Sequence, residues 1–211
     1  MTQVPVVYVV DDDPSVARAL ERLFRVAGFR LASFATARAF LDQQSLESPS
    51  CLVLDVQLPD LNGLDLQREL KESGWTLPIV FITGHGNVPI AVEAMRAGAV
   101  HFLPKPFDNR ELLAAVRQAL EREGQELARQ EESKRIKLLV DSLTPRERQV
   151  FLLVAAGIAN KNIATRLGVC LQTVKLHRGH VMEKLRLDSI ADLVQLAEKA
   201  RALLPDLAAT T

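Results

Sequence analysis

Four short apolar runs in the first half of this chain each end on residues that carry chemistry. Residues 6–10 run into Asp11, Asp12 and Asp13; 52–54 into Asp55; 79–82 into Thr83; and 100–103 lead to Lys105. Each run is β-branched or aromatic and is separated from the next by a helix-like stretch, the pattern of a parallel α/β sheet. Val-Val-Tyr-Val-Val (6–10) and Ile-Val-Phe-Ile (79–82) do not alternate with polar residues, as expected of strands buried on both faces. In such sheets ligands bind outside the carboxyl ends of the strands, where strand order reverses. Carboxylates, a hydroxyl and a lysine are thus aimed at one crevice.

The spacing predicts strands at 6–10, 30–34, 51–54, 78–82 and 100–103, with helices over 14–27, 36–43, 64–72, 88–96 and from 109. The flavodoxin-like order 2-1-3-4-5 is the natural arrangement, and it sets Asp11 and Asp12 beside Asp55. Asp13 before Pro14 is explained as a helix cap with proline in the first turn. Asp11 and Asp12 have no such role, and adjacent carboxylates need a counter-charge. Mg²⁺ takes one or two carboxylates and keeps several waters. Asp12 and Asp55 are the expected direct ligands, with Asp11 acting through water and the Gln57 carbonyl completing the set. A carboxylate can attack phosphorus to give an aspartyl-phosphate, and Asp55, at the centre of the sheet, is the expected nucleophile. Lys105 would cancel charge on the phosphoryl group, and Thr83 would hydrogen-bond one of its oxygens. Pro106 can hold a cis bond that fixes the direction of Lys105.

After an apolar stripe at Leu112, Leu113, Val116 and Leu120, residues 121–135 are mostly charged or polar, and no heptad is sustained. The chain therefore divides into residues 1–120, a helical linker at 121–142, and residues 143–211. Gly124 is the expected weak point of the linker, at about 1 kcal/mol relative to Ala. Thr144-Pro145-Arg146-Glu147 is a capping box. Helices ending near Gly157, over 160–167, over 171–185 and over 190–203 follow, the last capped by Ser189. Ala164 is small where a helix-turn-helix pair crosses. The chain has no net charge, yet residues 143–187 hold eight basic and two acidic side chains, a local +6. That asymmetry points to a basic binding module on a neutral or acidic partner. On the third of these helices Val174, Val181 and Leu185 face inward, while Gln172, Lys175, Leu176, Gly179 and Glu183 face outward. Such a face can supply phosphate and base contacts in a major groove; the plainer reading is a helical bundle with a solvated basic side. Cys51 and Cys170 have no metal-ligand spacing. No signal peptide or bilayer-length apolar run is visible, so a cytoplasmic protein without a membrane partner is expected.

Residues 4–122 resemble a response-regulator receiver domain through Val-Asp-Asp-Asp (10–13), Leu-Asp-Val-Gln-Leu-Pro-Asp-Leu-Asn-Gly (54–63), Phe-Ile-Thr-Gly-His-Gly (81–86) and Leu-Pro-Lys-Pro-Phe (103–107). The resemblance implies that Asp55 receives phosphate from a sensor histidine kinase and that Phe102 is an aromatic switch coupled to Thr83. It also implies remodelling of the surface around residues 87–121, which commonly serves for dimerisation. Gly84 departs from the Ala or Ser usual in receivers, and Gly-His-Gly is similar to the nitrogen-fixation (FixJ-type) branch. Residues 143–204 resemble a LuxR-type DNA-binding domain through Leu-Thr-Pro-Arg-Glu-Arg-Gln-Val (143–150), Gly-Ile-Ala-Asn-Lys-Asn-Ile-Ala (157–164) and Thr-Val-Lys-Leu-His-Arg (173–178). This resemblance implies Lys161, Thr173, Lys175, Leu176, His177 and Arg178 as contacts to double-stranded promoter DNA, and the last helix as a dimer surface. Cys170 replaces the usual Ser or Thr cap, a loss of ~1 kcal/mol.

The expected protein is a phosphorylation-dependent transcription regulator, an activator that pairs on DNA and engages RNA polymerase, and not an enzyme. Two rivals stand beside it. One is a phosphorylation-independent, constitutively dimeric DNA-binding protein. The other is a phosphohydrolase turning over an Asp55 intermediate, with His85 as a distant general acid.

Overall fold

The structure is a computed structural model and describes residues 4–43, 45–47, 49–84 and 88–204. The chain forms two compact units that divide between Leu127 and Ala128.

The first unit is a five-stranded parallel sheet: β1 Val6–Val10, β2 Arg30–Phe34, β3 Ser50–Asp55, β4 Ile79–Thr83 and β5 His101–Pro104, in the order β2-β1-β3-β4-β5. The flavodoxin-like arrangement expected from the sequence is the one observed. Five helices complete its alternation: α1 Pro14–Val26, α2 Ala37–Leu41, α3 Gly63–Glu72, α4 Val88–Arg96 and α5 Asn109–Asp141. Successive strand residues fill two separate cores, because side chains alternate across the pleat. Tyr8, Leu52, Leu54 and Phe81 pack with Phe40, Leu66 and Leu70 on one face. Val7, Val9, Val53 and Ile82 pack with Phe24, Leu112 and Val116 on the other.

Local chemistry sets the helix ends. Asp13 accepts from the Ser15 amide at 2.7 Å, with Pro14 in the first turn. The second helix is shorter than the spacing suggests, because Thr36 is extended and caps it while Asp42 ends it. Strands three and four each run one residue further than expected, so Asp55 and Thr83 are the last residues of their strands. The ladder pairs Asp55 with Ile82, and the Val56 amide donates to the Ile82 carbonyl.

The second unit is all helical: the end of α5, then α6 Pro145–Ala155, α7 Asn160–Leu167, α8 Leu171–Leu185 and α9 Ile190–Leu203. The capping box at Thr144 and Glu147 closes in both directions. Gly168 adopts φ 63 at the end of α7, a left-handed conformation that glycine tolerates without strain, and the Val169 amide donates back to the Ala164 carbonyl. Val174, Val181 and Leu185 are the buried residues of α8, as the period requires. Ile136 and Val140, in the last turns of α5, are buried in this unit's core with Phe151, Ile163 and Leu193.

Candidate functional site

The parallel sheet sets the carboxyl ends of β1, β3, β4 and β5 along one edge, and the chemistry collects there. Asp11 follows β1 and Lys105 follows β5, while Asp55 and Thr83 close β3 and β4. Asp11, Asp55 and Thr83 are buried, and Asp12 is exposed. The Lys105 ammonium donates at 2.6 Å to Asp11 Oδ2 and at 2.6 Å to Asp55 Oδ2. It therefore supplies the counter-charge that clustered carboxylates need. Burial pushes the Asp11 carboxyl up from its ordinary range, against the hydrogen bond from Lys105. Burial opposes the charge on Lys105, yet its bonds to Asp11 and Asp55 hold it above the usual lysine range. The remaining oxygens are positioned by backbone: the Gln57 amide donates to Asp55 Oδ1 at 3.0 Å, and the Asp13 amide to Asp11 Oδ1 at 2.9 Å. Asp11, Asp12 and Asp55 each offer an oxygen within 4.8 Å of the others, a spacing that a single cation can bridge.

The flanking loop supports this edge. Asn62 caps α3 through the Leu64 amide at 2.9 Å. Asp60 accepts from the Ala37 and Arg38 amides at 3.1 and 2.8 Å and so fixes the start of α2. Sequence reading gave Asp60 no role, and its acceptance across 22 residues leaves no local signal to find. The Lys105–Pro106 bond is cis. Phe102 is half-buried, with its ring centroid 6.2 Å from that of Phe81. His85 and Asn87 lie outside the described residues.

In the second unit, Lys161, Lys175 and Leu176 are exposed, whereas Thr173, His177 and Arg178 are half-buried. Arg178 donates to Asn160 Oδ1 at 3.2 Å, which sets the start of α7 beside the middle of α8. The Cys170 side chain makes no capping hydrogen bond to α8, and its sulfur lies 3.1 Å from Thr173 Oγ1. Glu147 does more than cap: Lys184 donates to its Oε2 at 2.7 Å, and His180 Nδ1 lies 3.6 Å from its Oε1. The lysine, together with the Thr144 amide, holds the Glu147 carboxyl down at about 2 despite its burial. His180 was not singled out from the sequence, although its three-residue spacing from His177 is visible there.

Residues 7–117 match the response regulator receiver domain family, and residues 141–197 match the luxR family of bacterial regulatory proteins. The chain is 48% identical over 193 residues to nodulation protein W of Bradyrhizobium diazoefficiens, covering 92% of this chain and 85% of that protein. It is 41% identical over 198 residues to the transcriptional regulatory protein FixJ of the same organism, covering 93% and 96%. A solved structure of the response regulator StyR aligns with a TM-score of 0.85 at 45% identity, over 93% of this chain and 100% of that one. Full-length FixJ from B. japonicum aligns at 0.59 with 39% identity, over 95% and 99%.

Proposed function

The chain belongs to the response regulators that join a receiver domain to a LuxR-family DNA-binding domain, and on that premise we propose that Asp55 is its phosphoacceptor and that phosphorylation there drives two copies to pair on DNA. The observation that carries this reading is the Lys105 ammonium shared by Asp11 and Asp55 at the carboxyl edge of the sheet. The receiver is residues 1–120, the connector 121–142 and the DNA-binding domain 143–211.

Asp55 Oδ attacks the phosphorus of a phosphohistidine on a sensor kinase; the new O–P bond forms as the N–P bond breaks. Asp11, Asp12 and Asp55 fit Mg²⁺ by donor type and spacing, and the Gln57 carbonyl would complete the protein set. When bound, the cation neutralises charge on the transferring group. Lys105 turns its ammonium to a phosphoryl oxygen. Thr83 hydrogen-bonds another, and its movement makes room for Phe102 to turn inward.

Pairing of copies is supported by an apolar patch on α4, where Val88, Val92 and Met95 are 76%, 42% and 47% exposed. It lies within the 87–121 surface. Two α8 helices then read a symmetric site, with Lys161, Thr173, Lys175, Leu176, His177 and Arg178 as contacts. The outcome is transcription activation through RNA polymerase in the cytoplasm. Among the described residues no helix is long and apolar enough to cross a membrane.

Sedimentation with Mg²⁺, with and without beryllofluoride, tests the switch. A monomer-to-dimer shift in wild type that is lost in Asp55→Asn is expected. An Asp55→Asn variant that pairs and binds DNA like wild type would favour the constitutive dimer. Phosphate release far beyond stoichiometry from a small donor would favour the phosphohydrolase.

A further inference from the structure

Besides the acidic cluster of the first unit, the described residues gather one other set of metal-type donors: Glu147 of α6 with His177 and His180 of α8. One donor atom of each lies within 4.8 Å of the others. The histidines are three residues apart on α8 and so share a face. Glu147 is buried where α6 meets that face, its side chain 4% exposed. Its two oxygens are differently engaged. Oε2 accepts from the Thr144 amide at 2.8 Å and from Lys184 at 2.7 Å. Oε1 lies 3.6 Å from His180 Nδ1, too far for a hydrogen bond. The Nδ1 of His177 is buried without a hydrogen-bond partner, although buried polar atoms ordinarily have one.

We propose that Glu147, His177 and His180 bind a borderline divalent transition cation of the Zn²⁺ or Co²⁺ type, tying α8 to α6. A tetrahedral centre sets neighbouring donors about 3.4 Å apart, so the Glu147–His180 pair is close to that geometry already, and side-chain torsions supply the rest. Three protein donors leave a fourth position for water or an exogenous ligand. Two imidazoles select against Mg²⁺, which prefers oxygen, so this site differs in kind from the acidic cluster. Lys184 is the one cation bonded to the same carboxylate among the described residues; it occupies the opposite oxygen and weakens the site without blocking it. The proposed DNA-reading helix would thereby answer to transition-metal level, the cation competing with DNA for His177.

The test uses the full chain in excess Mg²⁺, which competes for the acidic cluster, titrated with Co²⁺ and then Zn²⁺. Wild type should take up one Co²⁺, with the intense visible bands of tetrahedral nitrogen and oxygen coordination, and Zn²⁺ should displace it. His180→Gln, at a side chain 46% exposed, leaves the core intact; it should weaken uptake at least roughly tenfold, as should His177→Gln. Asp12→Asn should keep the bands. Absence of the bands in wild type, wild-type affinity in His180→Gln, or loss of the bands in Asp12→Asn would each overturn the assignment.

Discussion

Substitution of Gly63 by alanine should damage both the stability and the chemistry of the first unit, because there is no room for a Cβ. An ideal Cβ on Gly63 would lie 2.4 Å from the carbonyl oxygen of Asp55 and 3.1 Å from Cα of Val56. Both are backbone atoms and cannot swing aside as a long side chain would. Carbon–oxygen contacts settle near 3.3 Å, so the start of α3 must retreat by about 0.9 Å. The Gly63 amide donates to the Val56 carbonyl at 2.8 Å, and that bond is lengthened or lost in the retreat. Overpacking costs 1–3 kcal/mol, and rigid neighbours put this case at about 3 kcal/mol. For a unit of this size that is a fall of roughly 10 °C in unfolding midpoint. The facing backbone is that of Asp55 itself; whatever part of the shift it takes up moves the reacting carboxylate, and misplacement by about 1 Å costs on the order of 10²-fold in rate. Calorimetry and phosphorylation by acetyl phosphate with Mg²⁺ read the two effects. Gly124→Ala is the control: its added Cβ meets nothing within 4 Å and its helix is unbroken, so stability should rise by about 1 kcal/mol. Wild-type stability and phosphorylation rate in Gly63→Ala would refute the reasoning.

Glu147 should make the second unit acid-sensitive. Its carboxyl titrates at about 2 when folded, against an ordinary 4.5. A depressed folded value stabilises above the unfolded one, so the contribution, on the order of 3 kcal/mol, is present above pH 4.5 and fades as pH falls towards 2. Urea titrations across that window should show the loss, and Lys184→Met should flatten it; an unchanged slope in that variant would contradict the assignment. The two cysteines should differ sharply in reactivity. Burial pushes the Cys51 thiol up to about 12, whereas Cys170 is exposed and held below its ordinary value by hydrogen bonding to Thr173. A disulfide reagent at neutral pH should label Cys170 alone, with Cys51 following only on unfolding; equal rates, read by peptide mapping, would count against the packing around β3. Gly179→Ala in the exposed middle of α8, where an added Cβ meets nothing within 4 Å, should raise stability by about 1 kcal/mol, and a lower denaturant midpoint would show the opposite.

The sheet was legible because four of its five strands, β1, β3, β4 and β5, come from short apolar runs that lead to a polar residue. Parallel pairing then forces those closing residues onto one edge, so Asp11, Asp55, Thr83 and Lys105 could be grouped before any contact was known. Their partnership is less readable. Lys105 bonds to carboxylates 94 and 50 residues away, and no spacing rule distinguishes a bridging lysine from a solvated one. Strand ends were missed by one residue for a related reason: Asp55 is polar, yet the ladder to Ile82 keeps it in the strand.

Glu147 shows where local reading stops. Its bond to Thr144 spans three residues and is written in the sequence as a capping box, which the structure reproduces in both directions. Its bond to Lys184 spans 37 residues and depends on how α6 and α8 pack. The second contact brings a counter-ion from α8 to a buried carboxylate, whose other oxygen lies 3.6 Å from His180 Nδ1. A cap needs only the amides of its own first turn, so the sequence can specify it alone. An ion pair between helices needs the core beneath them, and that core draws on Ile136 and Val140 from α5, beyond the charged stretch that ends at Arg135. The contacts that give this unit chemistry are therefore set by packing between helices, and they become visible only once that packing is known.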